Sequence, residues 1–212
     1  MKSNLFTITL LLFSIQLFSQ DFAGKRIINA SLNLDISSDN TNYNNNALPS
    51  SQDYSQNRSN ITLSFLQGKI KADNKYTAYG LNFSLSTQNN TGQYKTTTSG
   101  YSLGPRLQFG KFIKVFDQFY FAPSTSFSTS FGKSENNGLK SSIYSVNASI
   151  APLSFVYKLN EKLLFNISLG QFGMNYLNQK FKNNDYTTNR NELNLVGNIS
   201  NQVGISAFYL FK

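Results

Sequence analysis

Few residues of this 212-residue chain could do acid–base or nucleophilic chemistry. It contains no His and no Cys. Composition therefore excludes a His general base, a Ser-His-Asp triad, a Cys nucleophile, a Cys/His zinc site and a disulfide framework. What remains is carboxylate chemistry, in which one acid protonates a leaving group while a partner acts as base or nucleophile. The ten Asp and Glu that could supply it are Asp21, Asp35, Asp39, Asp53, Asp73, Asp117, Glu135, Glu161, Asp185 and Glu192. They are scattered, and no two have a helical or cross-strand spacing that would pair them. An enzyme is not expected, nor is any metal or cofactor.

The elements that position these residues follow from the pattern of the chain. Charged residues make up only 14% and aromatics 15%, where a soluble domain averages about 25% charged. Uncharged polar side chains, chiefly Asn, Ser, Thr and Gln, fill the gap. Residues 1–19 read as a secretory leader: Lys2 is the basic start, Leu5 to Leu17 an apolar run, and Ser19 a small residue at the cleavage point. The run is shorter than the ~20 residues of a spanning helix. Residues 20–212 form the second unit. Removing the leader takes Lys2 from a formal net charge of +9.

From about residue 24 onward the chain alternates with a period of two, the signature of strands with two unlike faces. Ile28, Ala30, Leu32, Leu34 and Ile36 alternate with Asn29, Ser31, Asn33, Asp35 and Ser37. The pattern recurs at Ile61–Phe65, Tyr79–Leu85, Tyr101–Phe109, Phe119–Phe131, Tyr144–Ile150, Leu163–Leu169 and Leu193–Phe211, which predicts eight strands. Residues 38–59, 87–98, 133–141 and 177–191 read as long polar loops, and 71–75, 111–118 and 158–162 as short turns. Long and short connections in alternation belong to an up-and-down sheet with unequal ends.

The polar face is small and nearly uncharged, which suits the filled interior of an eight-stranded barrel. The other face is Leu, Ile, Val, Phe and Tyr, which suits lipid, where a mid-depth Lys or Arg costs about 2–4 kcal/mol. Charges gather instead at the short turns: Lys69, Lys71, Asp73 and Lys75 at the first, Lys111, Lys114 and Asp117 at the second, Lys158, Glu161 and Lys162 at the third. Open sheet edges are not tolerated in hydrocarbon, so the sheet must close. The fold class is all-β: an eight-stranded antiparallel up-and-down transmembrane β-barrel. Phe109, Phe119, Phe121, Tyr209 and Phe211 would form one aromatic girdle and Tyr101, Phe131 and Tyr144 the other.

Pro105, Pro123 and Pro152 fall within strands, so each implies a bulge or an end of regular pairing. Beyond Pro152, Leu153, Phe155 and Tyr157 have the opposite parity to Ile150. A one-residue bulge there returns them to the lipid face. Parity places Asp35 and Arg106 inside, as members of an interior polar network whose structural role is to set register and fill space.

The segments Gly104-Pro105-Arg106-Leu107-Gln108-Phe109 and Ala151-Pro152-Leu153-Ser154-Phe155-Val156-Tyr157, each followed by a short turn and another strand, resemble the outer-membrane β-barrel domain proteins of Bacteroidota, similar to the OmpX and OmpW types. The last strand resembles that family's terminal signal: Val203, Ile205, Ala207, Tyr209 and Phe211 alternate to the end, although Lys212 follows where an aromatic residue usually closes the chain. The resemblance implies location in the outer membrane of a Gram-negative bacterium, contact with outer-membrane lipid, and recognition of the last strand by the barrel-assembly machinery. The basic residues are dispersed over turns with no continuous stripe, so nucleic acid is not an expected partner. Four functions compete: a structural or surface-interaction barrel with its loop 38–59 as contact surface, a small transport barrel for ions or apolar solutes, an accessory of protein secretion, and a secreted carrier of a lipophile.

Overall fold

The computed structural model describes residues 22–43, 52–91, 95–182 and 187–212, so the leader expected at 1–19 lies outside the described residues. The described chain is all strand and turn. Its elements are β1 (Arg26–Tyr43), β2 (Gln52–Ile70), β3 (Lys75–Thr91), β4 (Thr96–Lys111), β5 (Ile113–Phe116), β6 (Phe119–Phe121), β7 (Ser124–Asn136), β8 (Leu139–Ala151), β9 (Leu153–Lys158), β10 (Leu163–Lys182) and β11 (Thr187–Phe211). Each of β4/β5, β6/β7 and β8/β9 is one stave interrupted by one or two residues. The staves pair antiparallel in chain order, and β11 pairs with both β10 and β1, which closes the sheet into a ring of eight.

Alternation decides the faces. Leu63, Phe65, Tyr79, Leu81, Leu103, Phe127, Phe131 and Ile205 are all at least 40% exposed on the outside. Their sequence neighbours Ser64, Asn82, Ser126, Ser130 and Ser206 are buried inside. On β4 the outward apolar run is Tyr101 to Phe109, nine residues, which matches the 9–11 that a tilted strand needs to cross a bilayer.

The polar segments expected to be loops are largely strand. β1 and β2 pair as far as Tyr43–Gln52, β3 and β4 as far as Asn90–Thr96, and β10 and β11 as far as Lys182–Thr187. Ladder hydrogen bonds do not require apolar side chains, so Asn, Ser and Thr continue the wall beyond the apolar band. Segment 133–141 is a two-residue turn: Asn136 pairs with Leu139, and Asn137 and Gly138 both have positive φ (47° and 85°). An Asn-Gly pair is the favoured sequence for that turn because both residues accept left-handed backbone.

The prolines act in three ways. At Pro105 the register continues unshifted from Leu103–Phe131 to Arg106–Ser128, so pairing lapses without a slip. Pro123 separates β6 from β7, and Pro152 separates β8 from β9. Phe121 and Ser124 are three positions apart, but their partners Phe155 and Ala151 are four apart, so the Pro152 stave carries one extra residue. Leu153, Phe155 and Tyr157 accordingly face out, while Ser154 and Val156 are buried.

The next stave makes the same correction, which alternation within that stave does not foretell. Gly170 lies opposite the Ala151–Pro152 break with φ +74°. Outward positions on β10 are odd before it (Phe165, Ile167, Leu169) and even after it (Phe172, Met174, Tyr176). Alternation beyond Leu169 is therefore out of phase with the alternation before it. Only Gly enters that backbone region without steric cost. Gly170→Ala is expected to cost about 1–2 kcal/mol, read as a lower guanidinium midpoint; an unchanged midpoint contradicts a fixed kink at this position.

Candidate functional site

The site has three parts, two of them inside the barrel. At the short-turn end the interior is an apolar plug, not the small polar lining expected from alternation. Phe22, Ile27, Leu66, Ile70, Tyr76, Phe112, Tyr120, Val156, Leu164, Phe208 and Leu210 are all buried there. Phe22 arrives from the chain preceding β1. That segment is pinned under the barrel by Gly24 N–H donating to Ile70 O (3.1 Å) and Ile70 N–H donating to Lys25 O (2.9 Å). The Phe22 ring packs on Phe112 (5.3 Å between centroids) and Tyr120 (4.8 Å). Phe112 in turn stacks on Tyr76 (5.0 Å) and meets Phe208 edge-on (5.5 Å). The signal for this plug is present in the sequence as failed alternation. Ile27-Ile28, Phe65-Leu66, Leu163-Leu164-Phe165 and Phe208-Tyr209-Leu210-Phe211 are apolar on both faces, and each lies at the foot of a stave.

Above the plug is a layer of amides and hydroxyls. Asn29 Nδ2 donates to Gln108 Oε1 (3.1 Å), and Gln108 Nε2 donates to Tyr76 OH (3.2 Å), so this chain joins the layer to the plug. Ser154 Oγ donates to Asn166 Oδ1 (2.7 Å), and Asn166 Nδ2 donates to Ser206 Oγ (2.9 Å). Hydroxyl pairs Ser130–Ser145 (2.7 Å) and Ser126–Ser149 (2.9 Å) tie β7 to β8. Gln108→Leu leaves Asn29 Nδ2 without its buried acceptor, and a stranded group costs about 1–3 kcal/mol. Guanidinium unfolding is expected to show a loss in that range, and a neutral result contradicts this pairing.

Arg106 lies in this layer. Its Nη1 donates to Ser64 Oγ (2.8 Å) and its Nη2 to Ser126 Oγ (3.3 Å). The guanidinium thus bridges β2 and β7 across the lumen through neutral hydroxyls. Asp35 also lies on the inward face of β1, half-buried. The two residues are on different cross-strand rows. Asp35 is opposite Asn60 and Gln202, whereas the row of Arg106 runs through Gly80 and Leu66 to Asn29. Six residues of β1, about 20 Å of strand, separate Asn29 from Asp35.

Asp35 marks a boundary in the wall. Asp35–Gln202 is the last pair of the seam between β1 and β11. Beyond it β1 continues to Tyr43 paired with β2 alone, and β11 pairs with β10 alone from Thr187 to Asn198. The register of β10 with β11 shifts between Leu169–Val203 and Gln171–Asn198, so β11 carries three extra residues at this height. Among the described residues the β1–β11 ladder therefore ends at Asp35 while both strands continue.

The outer surface is the third part of the site. Val203, Ile205, Ala207, Tyr209 and Phe211 all face outward along β11, and Tyr209 stacks on Phe211 (6.4 Å). They pair with β1 at Leu34, Leu32, Ala30, Ile28 and Arg26. Among the described residues there is no cluster of acidic side chains able to hold a metal ion, and no helix is long and apolar enough to cross a membrane.

No protein-family model matches the chain, and no curated protein matches it. Among solved structures the chain is similar to the outer membrane protein OprG from Pseudomonas aeruginosa, at 15% identity over 90% of this chain and 97% of that one, with a TM-score of 0.45.

Proposed function

We propose that residues 20–212 form a small barrel of a Gram-negative outer membrane, exported by the leader at 1–19, with a structural or surface-interaction role. The observation that carries this reading is the combination of an all-round apolar exterior with a lumen closed at its foot. Side chains facing out are those that lipid accepts. The plug of Phe22, Tyr76, Phe112, Tyr120 and Phe208 leaves those side chains fully buried, and Arg106 braces the layer above it. A packed foot disfavours an ion path. The extended polar hairpins, including the described parts of 38–59, are the surfaces such a wall presents to a partner. Purified protein in planar bilayers is expected to give no steady unitary currents. Steady currents would overturn the closed-lumen reading.

A second reading is favoured by the end of the β1–β11 ladder at Asp35. An apolar solute entering the mouth could leave sideways there without crossing the plug. Uptake of a hydrophobic dye into barrel-containing vesicles, with no ion current, supports that route; no uptake removes it.

Recognition by the assembly machinery rests on the outward row of β11. Phe211→Ser is expected to reduce the heat-modifiable, folded fraction in outer membranes several-fold while leaving export intact. An unchanged folded fraction argues that Phe211 is not read.

A further inference from the structure

The short-turn end carries cations in an arrangement that the protein itself does not neutralise. Arg26 and Lys69 are directly opposite each other on the outward faces of β1 and β2, and Lys75 and Lys111 repeat this on β3 and β4. Opposed side chains have Cβ atoms about 4.5–5.5 Å apart, and like charges at that distance are destabilising. Asp73 engages Lys75 (2.6 Å), and this hydrogen bond holds its carboxyl below the usual range. Among the described residues no salt bridge reaches Arg26, Lys69 or Lys111. An anion from outside the chain would relieve the repulsion.

A second feature stands directly above Arg26 and Lys69. Ala30 on β1 is opposite Ala207 on β11, and Phe65 and Phe165 stand on the far sides of this pair. Two methyl side chains between two Phe rings open a groove on the outer wall, which continues past Leu32, Leu63 and Ile205 to Leu81, Phe83 and Leu103 with a volume of about 480 Å³ in all. Four residues of β1 separate Arg26 from Ala30, about 13 Å along the strand. The outward side chains of Ile28 and Tyr209 lie between them.

We propose that this is a phospholipid site: Arg26 and Lys69 take the phosphate of an anionic glycerophospholipid, and the Ala30–Ala207 groove takes one of its acyl chains. The fit is of charge to charge and of hydrocarbon to hydrocarbon on one face and two adjacent seams. The lipid belongs to the leaflet that meets the short-turn end. Long Arg and Lys side chains reach headgroup level from the edge of an apolar band. This inference rests on the membrane-spanning reading above.

The test uses the whole mature chain folded into phosphatidylcholine vesicles containing acyl-chain spin-labelled phosphatidylglycerol or spin-labelled phosphatidylcholine. Wild type is expected to favour the anionic lipid, each cation at the lipid surface being worth about fivefold. Arg26→Gln with Lys69→Gln is expected to lower that ratio at least about fivefold, with Lys75 and Lys111 leaving a remainder. Ala30→Phe fills the groove, and native mass spectrometry is expected to show several-fold fewer phosphatidylglycerol adducts than wild type. Equal association of the two lipids with wild type, or a preference that the double substitution leaves undiminished, overturns the headgroup assignment. An undiminished adduct in Ala30→Phe overturns the acyl assignment. Insertion is scored separately by the gel shift of the unboiled protein. A chain that does not insert contradicts the membrane reading itself, and this site with it.

Discussion

Leu63→Arg is expected to destabilise the membrane-inserted protein by about 2–4 kcal/mol, the cost of Arg at mid-depth on a barrel's lipid face. Leu63 is 49% exposed on the outward face of β2, opposite Leu32 and Phe83. In water such a substitution would be nearly neutral or would improve solubility. The loss arises only if hydrocarbon is the solvent at that point. The same change at Gln67, outward on the same strand and two residues from Lys69, lies near headgroup level. There the cost falls to about 0–1 kcal/mol. Denaturant titration of both variants in lipid vesicles gives the comparison. Equal effects at the two positions would remove the depth gradient and with it the lipid-facing assignment.

Phe112→Ala is expected to cost about 3–5 kcal/mol, the range for deleting a buried aromatic side chain. Phe112 touches three other rings, those of Phe22, Tyr76 and Phe208. It sits at the break between β4 and β5, and its N–H donates to Asn74 O (3.1 Å), which fixes the ring under the lumen. Those neighbours come from three separate parts of the chain, so the foot cannot collapse easily around the gap. Phe109→Ala removes an aromatic ring from the outer wall of the same strand. Its ring is 39% exposed and meets Phe127 edge-on at 6.5 Å. Lipid can fill the space it leaves, so the loss should be well below that for Phe112. A Phe112→Ala loss under about 1 kcal/mol, or one no larger than that of Phe109→Ala, would mean that the foot is not a packed plug.

The strands and their faces were legible because a two-sided sheet prints its burial pattern directly on the sequence. Ile28 to Ile36 and Tyr101 to Phe109 needed no structural information to be placed outside. The eight staves and the return of Leu153, Phe155 and Tyr157 to the outer face followed from parity alone. Three features did not follow. The kink at Gly170 has a cause in another stave, the extra residue at Pro152, and a local pattern cannot report a neighbour's register. The polar hairpin extensions were read as loops because ladder pairing of Asn, Ser and Thr carries no apolar period. The plug was missed because consecutive apolar residues such as Ile27-Ile28 and Tyr209-Leu210 look like ordinary strand ends. Phe22 precedes every strand, so its burial depends on contacts more than 80 residues away. Arg106 was placed inside by parity, but its partners Ser64 and Ser126 lie on strands that sequence spacing does not connect to it.

The central claim is a closed barrel whose apolar face meets lipid. Outer-membrane fractions run on a detergent gel, boiled and unboiled, test it most directly. The account predicts that the protein is in that fraction and migrates differently unboiled from boiled, because a closed sheet with every internal strand paired resists detergent until heated. A soluble protein whose mobility is unchanged by boiling would contradict it, since the outward Leu, Phe and Tyr would then have no solvent that accepts them.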